Sequence, residues 1–160
     1  MDATWQSVGA ASAVEIRRMQ KQLAKDQDRL TFFVLGFTSD LNPEALGLAL
    51  YVHLVAAQAF RRSRAKFQRV NAEKIDRAWK DNFAVINELK AAGHTRTPFA
   101  FPSHLTSEPA VLQYIVEALT EHDEADPISL TNDEFWQILQ VLKTYCDCMH
   151  DAGTSATRGA

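Results

Sequence analysis

His53 is the ionisable side chain with the most unusual setting in this sequence. It is the one ionisable group in the middle of the run PEALGLALYVHLVAAQAF (43–60), which is almost apolar around its whole circumference. Its neighbours one helical turn away are Ala49, Leu50, Ala56 and Ala57. Burial lowers the pKa of an imidazole and leaves it neutral, able to ligate a metal or haem or to line an apolar pocket. The commoner fate of a core histidine is a structural hydrogen bond, and that reading competes with the ligand one.

Cys146-Asp-Cys-Met-His150 suggests a metal site. On a helix, Cys146 and His150 share a face, but Cys148 is turned about 200° from Cys146. No CxxC pair and no second ligand cluster completes a coordination set, so no metal is expected. The D-x-x-H spacing of Asp147 and His150 lacks the second copy and the extra carboxylates that a di-iron site requires. Cysteines two apart on one helix do not bridge readily, which suits a reducing compartment.

Two further segments carry chemistry. The connection GHTRTPFAFPSHLT (93–106) places His94, Arg96 and His104 among Phe99, Phe101 and two prolines, in a loop long enough to act as a binding segment. The run Arg61, Arg62, Arg64, Lys66 and Arg69 could grip phosphates or an acidic partner. A pI near 5.9 and the lack of a helix-turn-helix pattern argue against nucleic acid. No nucleophile–base pair, glycine-rich phosphate loop or paired carboxylate motif appears, so no catalytic residue is assigned.

Helices must position these groups. Ser12 is an expected N-cap, and Ile16, Met19, Leu23, Leu30, Phe33 and Phe37 recur at helical spacing. The polar patch KDQDR (25–29) breaks that stripe, so the segment is one long helix or two joined by a kink. Asn42-Pro43-Glu44 starts the apolar helix with a cap, a proline and an acid in the favoured order. Asn71 caps the next, which carries Ile75, Trp79, Ile86 and Leu89 and stops at Gly93. Ser107 is expected to cap a shorter helix, and Thr131 with Glu134 forms a capping box for the last, which Gly153 is expected to stop.

The resulting expectation is an all-α, compact single domain over 1–153. Five to six helices surround a central buried helix at about 43–64, and residues 154–160 form a disordered tail. The continuous apolar stretch from Ala45 to Ala57 is shorter than the roughly 20 residues of a membrane span, and the amino terminus lacks the features of a secretory signal. A cytoplasmic protein is therefore expected.

Residues 1–80 carry 13 Lys and Arg against 8 Asp and Glu, whereas residues 81–160 carry 4 against 12. Halves of opposite charge can pair internally or favour association between copies. The leading functional reading is a non-enzymatic interaction or adaptor-type protein that self-associates or binds another protein. Its candidate interface residues are Trp136, Arg61, Arg62 and Arg64. The alternative is a sensor-like bundle holding a small ligand near His53, with Trp79 as a wall and His94 and His104 as loop contributors. No cofactor is called for, although haem or an apolar ligand would suit that second reading.

Overall fold

The computed structural model describes residues 2–63, 66–95, 101–121 and 130–157. Among them are seven α-helices and no strand: α1 (Asp2–Gly9), α2 (Ala13–Asp26), α3 (Asp28–Thr38), α4 (Pro43–Ser63), α5 (Ala72–Ala91), α6 (Pro109–Thr120) and α7 (Asn132–Thr157). A short 3-10 turn, Ser103–Leu105, precedes α6. The all-α fold class holds. The helix count exceeds expectation because α1 forms and the first long segment divides.

Gln27 marks that division. Its backbone leaves the helical region (φ −139°, ψ 63°) between α2 and α3. Its amide then turns inward: Nε2 donates to the Gln68 carbonyl at 2.8 Å, and Oε1 accepts from the Val70 N–H at 3.0 Å. The interruption in the apolar stripe is thus a buried polar clamp on the segment leading into α5.

Most expected caps form. Asn42 accepts from the N–H groups of Glu44 and Ala45, and Asn71 accepts from Lys74. Thr131 and Glu134 make the reciprocal capping box, and Ser12 makes a second one with Glu15. Asn42 also donates to Glu134 at 2.6 Å, which ties the start of α4 to the start of α7. Gly93 ends α5 with φ +83°, a left-handed conformation that glycine adopts without strain.

Two helix ends differ from expectation. Glu108, not Ser107, is the N-cap residue of α6, because Pro109 occupies the first helical position and disfavours helical geometry in the residue before it. Helix α7 continues through Gly153 to Thr157. The Gln68 N–H donates to the Ala152 carbonyl at 3.2 Å, pinning that last part of the helix to the segment before α5. The expected tail therefore begins in helix, and only residues 158–160 lie outside the description.

The centre of the fold also shifts. Helix α4 is buried all round over Val52–Ala57, but its first half is partly exposed. By length and composition it is apolar enough to cross a membrane, and half of its most apolar stretch is enclosed by the other helices. The hub is α7, which packs against α3, α4, α5 and α6. From Phe135 to Met149 every residue of α7 except Gln137 and Asp147 is buried.

Polar residues along α7 disguise this burial in the sequence, and their pairing explains how the helix tolerates it. Lys143, 3% exposed, donates to Asp147 at 2.7 Å. Buried Asn82 of α5 donates to both Asp147 (2.9 Å) and Thr144 (3.1 Å). The Thr144 hydroxyl donates to the Gln140 carbonyl.

Removing Asp147 strands the Lys143 ammonium. Asp147→Ala should cost about 3 kcal/mol, the lower end for a broken buried pair because the carboxylate is itself partly solvated. Lys143→Met should cost clearly less, since Asp147 keeps Asn82 and its access to water. Urea unfolding of the two variants checks this. Equal losses would contradict the account.

Candidate functional site

Helix α3 carries three of the six exposed large apolar side chains found among the described residues. Leu30, Val34 and Thr38 fall one turn apart and face the core. Of the intervening positions only Thr31 is polar, so the outward side of the helix has little polar surface to offer. Phe32 is 74% exposed, and Leu35 and Phe37 are each 44% exposed. From Leu30 to Ser39 the helix carries no ionisable residue.

The surface continues onto α5. Phe33, Phe37 and Trp79 form a ring cluster, with centroids 5.0 Å apart for Phe33–Phe37, 5.5 Å for Phe33–Trp79 and 4.5 Å for Phe37–Trp79. Phe83 lies one turn beyond Trp79 and is 55% exposed. Tilted and edge-on ring contacts of this kind hold aromatic side chains in fixed orientations. The result is a rigid apolar face spanning two helices. Sequence periodicity counts Phe37 as core; the fold leaves it 44% exposed, because Leu30, Val34 and Thr38 face the core and Phe37 lies to one side of them against Phe33 and Trp79.

The residues singled out from the sequence scatter. Trp79 joins this aromatic face and does not wall a chamber around His53. Trp136 is 2% exposed, stacked edge-on against Phe135 with the Lys90 ammonium 5.7 Å from its ring centroid, and so is core rather than an exposed anchor. The burial of α7 on all sides removes the edge position its spacing implied. Arg62 is engaged within the molecule: it donates to the Ala3 carbonyl, the Thr4 hydroxyl and the Ser7 hydroxyl, latching α1 onto α4. Arg61 lies 3.9 Å from Asp26. Arg64, Arg96 and Phe99 lie outside the described residues.

His94 is half-buried just after the Gly93 stop, its N–H donating to the Leu89 carbonyl. His104 is exposed on the 3-10 turn and lines a cleft of about 460 Å³ whose wall includes Lys143 and Asp147. The two loop histidines therefore do not converge with His53. Cys146 and Cys148 are free and buried, and burial raises both thiols, Cys148 to about 12. His150 Nδ1 lies 2.7 Å from Glu108, joining α7 to the start of α6. No group of three potential metal ligands occurs among the described residues.

His53 is 5% exposed and packs edge-on against Tyr145, with ring centroids 4.5 Å apart. Its Nε2 has no hydrogen-bond partner. The structural hydrogen bond expected of a core histidine is thus missing at that nitrogen. Burial lowers its pKa from 6.5 to about 4, so the ring is neutral in the folded protein at pH 7.

No protein-family model, no curated protein and no solved structure matches the chain. Function must therefore be argued from these surfaces.

His53 makes folding pH-dependent with a definite sign. Between pH 6.5 and 4 the unfolded chain binds a proton that the folded one refuses, so stability is complete above 6.5 and falls as the pH drops toward 4. A depression of this size corresponds to roughly 3 kcal/mol. Denaturant unfolding across that range should show a steeper loss for the wild type than for His53→Leu. Parallel pH profiles would rule the assignment out.

Proposed function

We propose that this protein is a non-enzymatic helical interaction protein that associates with a second copy of itself through the outward face of α3 and α5. The observation that carries the reading is the exposed set Phe32, Phe37 and Phe83 around the Phe33–Phe37–Trp79 ring cluster. Contiguous exposed apolar surface on a folded protein marks an interaction site.

Symmetry supports a second copy as the occupant. A two-fold contact sets a patch against itself, so every charge near the axis meets its own like. The uncharged stretch of α3 from Leu30 to Ser39 avoids that repulsion. Charge complementarity between the two halves of the chain gives no comparable support. The ion pairs Arg61–Asp26, Lys80–Asp76, Lys143–Asp147 and His150–Glu108 each lie within one half.

The energetics favour a weak dimer. Burying a large apolar side chain contributes about 1.5–3 kcal/mol, less where it is already half covered. Three such residues from each of two copies supply roughly 6–10 kcal/mol, comparable to the roughly 4–15 kcal/mol that association costs, so only a weak dimer is expected. Ring contacts across the interface would add to this. The cytoplasmic placement belongs to the same proposal, supported by the free buried cysteines and by the enclosure of α4.

Sedimentation equilibrium should reveal a concentration-dependent monomer–dimer exchange. Phe32→Asp and Phe83→Asp, both at exposed positions, should each weaken it by about tenfold or more while leaving the melting temperature within a few degrees. A wild type that stays monomeric into the high micromolar range would refute self-association. A dimer indifferent to both variants would refute the face.

A further inference from the structure

A second feature is independent of the α3 face. The end of α2, the end of α4, the 66–69 segment and α7 enclose a half-open cleft of about 530 Å³. That volume suits a small-molecule ligand. Its apolar lining includes Leu23, Phe67 and Met149. Its charged lining is one-sided: Lys25, Arg61, Lys66 and Arg69 stand against the single carboxylate of Asp26. That carboxylate is 3.9 Å from Arg61 and so engages it only loosely. Arg69 is braced by donating to the Lys25 carbonyl at 3.1 Å, and Gln27 holds the same segment through Gln68 and Val70.

Tyr145 also lines the cleft and supplies the observation that points to a ligand. It is fully buried, yet its hydroxyl has no hydrogen-bond partner. Leaving a buried hydroxyl unpaired costs stability, so a ligand that parts the cleft wall at Tyr145 gains a bond there. His53 packs against the same ring with its Nε2 also unpaired. The ligand question raised by His53 thus moves one ring outward, to a cavity that Tyr145 touches and whose lining does not include His53.

We propose that this cleft binds an amphiphilic anion, its carboxylate or phosphate head held by Arg61, Lys25 and Arg69 and its apolar body laid over Leu23, Phe67 and Met149 toward the Tyr145 hydroxyl. Guanidinium groups suit both head groups because they donate in a planar fork. Lys66 adds a mobile point charge at the rim. Neither half of such a ligand suffices alone: the cations are too exposed to hold a bare ion tightly, and the apolar floor is too small to hold a neutral chain.

Isothermal titration of the full chain with octanoate, octyl phosphate, octan-1-ol and inorganic phosphate tests the proposal. At least one of the two amphiphilic anions should bind, and the tighter of them identifies the head group. Octanol and inorganic phosphate should bind at least about tenfold more weakly. Arg61→Ala, at an exposed position, should weaken anion binding by about tenfold, and Tyr145→Phe by about two- to fivefold with the ring packing retained. Four results would overturn the proposal: no binding of either anion, octanol binding as tightly as the anions, Arg61→Ala binding like wild type, or loss of binding in Phe32→Asp instead, which would place the ligand on the α3 face. Undiminished binding by Tyr145→Phe would remove the hydroxyl from the site.

Discussion

The near-complete burial of α7 from Phe135 to Met149 is the constraint on which the rest of the structure depends. Polar groups on so deeply buried a helix are costly unless they are paired, and most of those on α7 are. Lys143 and Asp147 pair within the helix, and Asn82 reaches across from α5 to bond Asp147 and Thr144. Those bonds fix the register between α5 and α7. They also set how far α5 can slide against its neighbours, and so where Trp79 and Phe83 emerge at the surface.

The other helices arrange themselves around that axis with different success. Helix α4 loses its most apolar turn against α1, α6 and α7, and its polar end carries Arg61 and Arg62 outward. Helix α3 packs mainly on α7 and α2 and meets α5 through the Phe33–Phe37–Trp79 rings, so one side of an almost wholly apolar helix remains uncovered. The aromatic face of α3 and the cationic cleft at the end of α4 thus arise from the same packing. One is an apolar surface left without a neighbour; the other is a gap left where the ends of three elements meet around Tyr145.

The local instructions were largely legible. Asn42, Asn71 and the Thr131–Glu134 box begin helices where their side chains can reach unpaired N–H groups, and Gly93 ends one with a left-handed residue. Capping is a matter of a few neighbouring residues, which is why it reads well. Where a rule depended on more than its own turn it failed. Gly153 could have been a stop, but the Ala152 carbonyl found a donor in Gln68 and the helix went on. Trp136 is core and not interface, because the polar residues of its helix are paired inside the fold and do not mark a face open to water.

Sequence alone determined the all-helical class, most of the helix starts, the interruption of the apolar stripe near Gln27 and the unusual setting of His53, because each follows from periodicity or from contacts between near neighbours. Only the tertiary structure decided which helix lies at the centre, which aromatic residues face out, and which cations gather around Tyr145. Centrality and exposure are properties of the neighbours a helix acquires, and polar residues paired across helices look the same in sequence as polar residues facing water.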